Sequence, residues 1–272
     1  MNPSTNWKHT TTIYEVNIRQ FTEEGTFNAF AKELPRLKEM GVKTIWLMPI
    51  TPIAEKKQKG SLGSPYACKS YVQINPEFGT MDDFKSLVKK AHQIGLKIII
   101  DWVANHTGWN HEWTTTNPDF YLKDSTTNDF QIASGMDDII ELDYSNPKLR
   151  KAMIDAMVFW ITETDIDGFR CDLASWITLD FWKEAKPKVE EVKPIFWLGE
   201  YDELENPDYG AIFDASYSWI WMHKTEDYAK GNLSLDELRN LLVQYSNIGD
   251  SSMRTWFTSN HDENSWNGTE YE

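Results

Sequence analysis

Short apolar runs alternate along this chain with segments whose apolar residues keep helical spacing. Four of the runs close on a carboxylate: Lys97-Ile-Ile-Ile-Asp101, Gly168-Phe-Arg-Cys-Asp172, Pro194-Ile-Phe-Trp-Leu-Gly-Glu200 and Thr255-Trp-Phe-Thr-Ser-Asn-His-Asp262. Strict strand-helix alternation with right-handed crossovers gives a parallel sheet. The carboxyl ends of parallel strands converge on one face, so the four acids are expected to meet in one pocket there. With 272 residues and 40% hydrophobic content the chain can bury one large core, and parallel barrels commonly fill this length as a single domain. The expected fold is therefore α/β, a TIM-type (β/α)8 barrel.

Strands are expected at Ile13–Ile18, Thr44–Met48, Lys97–Val103, Gly168–Asp172, Ile195–Leu198, Ile212–Tyr217 and Thr255–Thr258. A helix is expected over Phe27–Met40, stopped by Gly41. Another should open at the N-cap Thr80, carry Phe84, Leu87, Val88 and Ala91 on its buried stripe, and close at Gly95. Asn146-Pro-Lys opens a third, with Leu149, Met153, Met157, Trp160 and Ile161 inward. Residues from about 104 to 143, rich in Asn, Thr, Asp and Trp, break the rhythm and read as an excursion inserted after the third strand. A loop of that length is usually functional. The strand count reaches seven, so the expectation is a catalytic barrel over 1–272 that lacks an eighth strand and helix. The two strand edges left open would favour self-association or docking of a complementing segment.

The net charge of −15 repels phosphate backbones and anionic lipid surfaces, which argues against nucleic-acid and membrane partners. The two cysteines do not form a disulfide-scaffold pattern. Cys171 alternates with Arg170 and Asp172 on its strand and so reads as a small buried hydrophobe. Met1-Asn-Pro-Ser-Thr-Asn-Trp lacks a basic segment followed by an apolar stretch, and no run has membrane-spanning length, so a cytoplasmic location is expected. The chain carries 13 Trp, 11 Tyr and 13 Phe; most of these fill a core of this kind, and a few are candidates to stack on sugar rings.

Asp101-Trp-Val-Ala-Asn-His106, Gly168-Phe-Arg-Cys-Asp172, the strand-terminal Glu200 and Asn260-His-Asp262 resemble, in this order, the four signature segments of the alpha-amylase family of glycoside hydrolases. Ser64-Pro-Tyr66, Tyr71 and Phe78-Gly-Thr80 look like the family's loop after its second strand. The resemblance runs from Tyr14-Glu-Val-Asn to Asp262. It implies a barrel that normally continues through an eighth unit into a β-sandwich domain, neither of which is read in this chain.

The chemistry that the resemblance implies has a physical logic. Retaining cleavage of a glycosidic bond needs a carboxylate nucleophile and a carboxylic acid that protonates the leaving oxygen, about 5 to 5.5 Å apart. By the family pattern Asp172 is the nucleophile, Glu200 the general acid and base, and Asp262 a third carboxylate that binds sugar hydroxyls. Arg170 lies two residues before Asp172 on one strand, so both side chains share a face, and a guanidinium there favours an ionised Asp172. Glu200 needs the opposite treatment, a pKa raised toward the working pH. His106 and His261 match family residues that donate to sugar hydroxyls, Tyr66 matches an aromatic that stacks on the same sugar, and Asp101 is expected to support Arg170. The resemblance also implies a structural Ca²⁺ held by Asn105 with Glu141 or Asp138. Here the sequence departs from the family, which often follows its nucleophile with Lys-His where this chain has Ser175-Trp176.

No organic cofactor is expected. The reading is a retaining enzyme acting on α-1,4-linked glucans or maltooligosaccharides. Two alternatives stay open: a family transglycosylase or α-glucosidase, and a silent or incomplete carbohydrate-binding fragment. Intact Asp172, Glu200 and Asp262 weigh against the silent fragment.

Overall fold

The computed structural model describes residues 6–249 and 252–266. The chain divides into two compact units, Met1–Phe196 and Trp197–Glu272, and the seven expected parallel strands are distributed between them.

The first unit opens with β1 (Ile13–Val16), which ends where the Asn17 side chain accepts from the Arg19 amide and caps the short helix α1 (Ile18–Phe21). The single helix expected over 27–40 is two. α2 (Phe27–Phe30) and α3 (Leu34–Glu39) are separated by a turn, and Pro35 lies in the first turn of α3. Proline has no N–H and its ring clashes with the preceding turn, so a helix restarts at this position more readily than it continues through it. β2 (Thr44–Leu47) and β3 (Lys97–Trp102) flank α4 (Met81–Gln93). Thr80 closes a capping box with Asp83, and Phe84, Leu87, Val88 and Ala91 are buried as their spacing requires. Gly95 takes a φ of +75° past the helix end, a left-handed conformation that glycine adopts without steric cost. α6 (Pro147–Thr164), capped by Asn146, leads into β7 (Gly168–Cys171) and then α7 (Leu179–Glu190). The parallel order is β1-β2-β3-β7.

The excursion after β3 carries its own secondary structure. β4 (His106–Gly108), β5 (Ile132–Ala133) and β6 (Met136–Glu141) form an antiparallel sheet in the order β4-β6-β5, with the short helix α5 (Trp113–Thr116) between β4 and β5. A small core of Ala54, Ala67, Ala133 and Ile139 ties this sheet to the loop after β2. Gly108 permits the close approach, because a Cβ there would lie 2.1 Å from the Ala54 methyl.

Two histidines are desolvated in this unit. Burial pushes the His106 pKa down to about 4 and that of His111 down to about 3; Tyr71 and Trp113 pack against the His111 ring. An unfolded chain protonates both near the ordinary value of about 6.5. Between that pH and the folded values the unfolded state binds more protons, so stability falls as pH falls from about 6.5, by roughly 1.4 kcal/mol per pH unit for each of the two histidines. Acidification also relieves the excess negative charge, in parent and variants alike. The expected result is thus a difference: His111→Phe loses less melting temperature than the parent between pH 7.5 and 4.5. Parallel curves would contradict the assignment.

In the second unit β8 (Phe196–Asp202), β9 (Ala215–Tyr217) and β10 (Met253–Thr255) are parallel in that order. α8 (Trp219–Ala229) and α9 (Leu235–Ile248) connect β9 to β10, and Ser234 with Glu237 forms the capping box of α9. β10 lies two residues before the expected Thr255–Thr258, and β9 begins at Ala215 where Ile212 was expected. α10 (His261–Trp266) follows. No helix among the described residues is long and apolar enough to cross a membrane. Cys68 and Cys171 are buried free thiols, and burial pushes the Cys68 pKa up to about 12.

Candidate active site

In the first unit the register of the parallel ladder places Asp101 of β3 directly beside Arg170 of β7. The ladder continues one step further, with the Asp172 amide donating to the Trp102 carbonyl at 3.0 Å. Arg170 is fully buried. Its Nη1 donates to Asp172 Oδ1 at 2.8 Å and to Asp101 Oδ1 at 3.1 Å, so one guanidinium clamps two carboxylates. A buried charge of this kind is tolerated only when paired and hydrogen-bonded.

Asp101 is the hub of the cluster. Besides Arg170 it accepts from the Trp46 indole at 3.1 Å and from the Tyr66 hydroxyl at 3.0 Å. The Trp46 ring lies 4.8 Å from the Arg170 guanidinium, within cation–π range. Burial first, and then the Asp101 charge, raise the Tyr66 pKa well above its ordinary value, so the phenol stays protonated and donates. The expected stacking aromatic is therefore held upright by the support residue. Sequence reading assigned nothing to Trp46. Its only signal was an indole between Ile45 and Leu47 in a short strand.

His106 lies at the start of β4, with Asn105 Nδ2 at 3.4 Å from its Nδ1. Its depressed pKa makes it a neutral imidazole near pH 7, able to donate one N–H.

Of the residues expected to hold calcium, Asn105 immediately precedes β4, and Asp138 and Glu141 lie on β6. The Asn105 amide faces His106, and the Asn105 carbonyl accepts from the Leu142 amide. Glu141 accepts from Gln131, while Asp138 pairs with the Lys59 ammonium at 3.2 Å. Among the described residues no three His, Cys, Asp or Glu side chains gather as a metal site. Calcium takes six to eight oxygen ligands, amide and backbone carbonyls among them.

The second unit holds the remaining expected residues. Glu200 is buried on β8, at 9% exposure. His261 and Asp262 stand in the first turn of α10, with Nε2 and Oδ1 3.3 Å apart and the Asp262 side chain about half exposed, at 48%. Asp262 thus does not close a strand directly. The chain leaves β10 at Thr255 and reaches Asp262 through an irregular stretch, and Asn260 caps α10 by accepting from the Glu263 amide. Two further acids, Asp202 and Glu203, are buried immediately after Glu200. Sequence reading passed over them, although the run Glu200-Tyr-Asp-Glu203 already placed three acids in four residues.

The family model described as the alpha-amylase catalytic domain matches residues 5–137 and 117–267 of this chain. Alpha-amylase 3 of Dictyoglomus thermophilum is 28% identical over 89% of this chain and 51% of its own length. Among solved structures, an alpha-amylase from Lactobacillus plantarum superposes with a TM-score of 0.89 at 33% identity, covering 94% of this chain and 64% of its own. A maltogenic alpha-amylase from Thermotoga neapolitana gives 0.87 at 36% identity, covering 94% of this chain and 60% of its own. The chain thus spans about half the length of the curated relative and somewhat under two thirds of these two structures. The expected TIM-type barrel fold is the fold of these neighbours.

Proposed function

From the premise that the chain belongs to the alpha-amylase family of glycoside hydrolases, we propose that it cleaves α-1,4-glucosidic bonds of maltooligosaccharides or starch-like glucans with retention. The observation that carries this reading is the buried Arg170 clamp, which holds Asp172 at the carboxyl end of its strand at 2.8 Å and secures Asp101 on the neighbouring strand.

In this reading Asp172 attacks the anomeric carbon while Glu200 gives its proton to the departing glycosidic oxygen. The bond between carbon and leaving oxygen breaks as the Asp172 ester forms. Glu200, now a carboxylate, takes a proton from the incoming water, and the hydroxide displaces Asp172 with a second inversion. Arg170 fixes the direction of the nucleophile. Asp101 holds Arg170 and the Tyr66 phenol, whose ring supplies the sugar-stacking face. Neutral His106 donates to a sugar hydroxyl, and His261 and Asp262 bind hydroxyls of the same sugar. The proposed partners are therefore glucans, and the net charge of −15 is compatible with a neutral substrate.

The direct test is incubation of the purified chain with maltoheptaose and, separately, with a β-1,4-linked cello-oligosaccharide. Release of reducing ends from the first alone is expected. Release from neither substrate, by a sample shown to be folded, would favour the reading in which the chain binds carbohydrate without cleaving it.

A further inference from the structure

Glu200 sits in an irregularity of its strand. Leu198 pairs with Ala215 and Gly199 with Ser216, but the next pair is Asp202 with Tyr217. β8 therefore advances three residues while β9 advances one, and Glu200 and Tyr201 are the surplus. A bulge interrupts the β8–β9 ladder and re-aims the side chain it carries, so the groups that fix the bulge bear on the direction of Glu200.

The residues on either side of Glu200 are held by side chains. Before it, Gly199 leaves room for the Tyr201 ring to fold back, since a Cβ at 199 would lie 2.7 Å from Tyr201 Cε1 and 2.9 Å from the Phe213 ring. After it, the Tyr201 ring packs against the rings of Tyr209 and Phe213. The Asp202 carboxylate accepts from the Leu204 amide at 2.9 Å, the Ile220 amide at 3.0 Å and the Tyr245 hydroxyl at 2.6 Å. Glu203, fully buried, accepts from the Ser252 hydroxyl and pairs with Arg254 Nη2 at 2.9 Å. Arg254 is itself fixed: the same Nη2 donates to the Gly249 carbonyl at 2.9 Å, and the guanidinium lies 5.5 Å from the Tyr245 ring centre.

A buried ion pair is a poor way to stabilise a fold, because desolvating both charges cancels most of their attraction. Its use three residues beyond Glu200 calls for another role. We infer that the Glu203–Arg254 ion pair, with Ser252, is a positioning device that ties the far side of the bulge to β10 and so sets the direction in which Glu200 delivers its proton. The inference rests on the reading of Glu200 as general acid. Glu203 and Arg254 do not touch substrate in this account. They act through the backbone of 200–203.

The test compares two substrates. Maltoheptaose has a poor leaving group and needs the proton; α-maltosyl fluoride expels fluoride without it, while both need the nucleophile. In Arg254→Met and Glu203→Gln, kcat on maltoheptaose is expected to fall about 10- to 100-fold, a part of what general acid catalysis contributes. On the fluoride kcat should change less than about threefold, and KM should hold for both substrates. The double variant Glu203→Gln/Arg254→Met leaves no isolated buried charge, and it is read in the same way where a single variant does not fold. Equal losses on both substrates, or no loss on either, would overturn the inference and leave the glycosidase reading standing. A folded parent that turns over neither substrate would refute that reading, and the inference with it.

Discussion

Asp172→Asn is expected to lower turnover of maltoheptaose by about 10⁴-fold, the scale on which removal of one member of a catalytic unit is felt. The substitution keeps size and shape and takes away only the charge and the nucleophilic oxygen. Arg170 retains Asp101 at 3.1 Å, so the clamp keeps one anionic partner and the fold should survive. Affinity for maltoheptaose, measured by calorimetry, should therefore remain within a few-fold of the parent. The combination is diagnostic, since a residue that only supports the fold would change both readouts through the melting temperature. Turnover undiminished in this variant would remove Asp172 from its assigned role.

Gly168→Ala is expected to be strongly destabilising, although it adds a single methyl. A Cβ at 168 would lie 2.0 Å from the Phe196 carbonyl oxygen and within 2.9 Å of the Phe196 amide nitrogen. These are backbone atoms at the start of β8. They cannot rotate away as a side chain would, and the Phe196 amide is already bonded to the Asp167 carbonyl at 2.8 Å. Overpacking a tight core typically costs about 1 to 3 kcal/mol, and a clash with backbone should reach or exceed the top of that range. The variant should melt several degrees below the parent or fail to accumulate as soluble protein. A melting temperature within about one degree of the parent would show that β7 and the start of β8 can separate, against the close approach seen here.

What was legible in the sequence follows from local rules that tertiary structure did not override. α4 has its capping box, apolar stripe and glycine stop where spacing placed them. β2, β3 and β7 read as near-continuous apolar runs because parallel strands are covered on both faces. That Arg170 and Asp172 share a face followed from strand alternation, and the pairing of Arg170 with Asp101 from the family resemblance. Less legible were the features that depend on partners distant in sequence. β10 lies two residues before its expected place because Met253-Arg-Thr255 looks polar beside Trp256-Phe257; Arg254 is accommodated by Glu203, the Gly249 carbonyl and the Tyr245 ring. The bulge at Glu200 leaves no mark except Gly199, whose need for a missing Cβ appears only once the Tyr201 and Phe213 rings are in place. The break between α2 and α3 was legible and passed over, since Pro35 announces it.

The central claim is retention through an Asp172 ester, and the configuration of the first product tests it most directly. Proton NMR of maltoheptaose during its first minutes with the purified chain should show new reducing ends in the α configuration, drifting to the equilibrium mixture only by mutarotation. New reducing ends that appear first in the β configuration would contradict a covalent intermediate on Asp172 and require a single displacement by water.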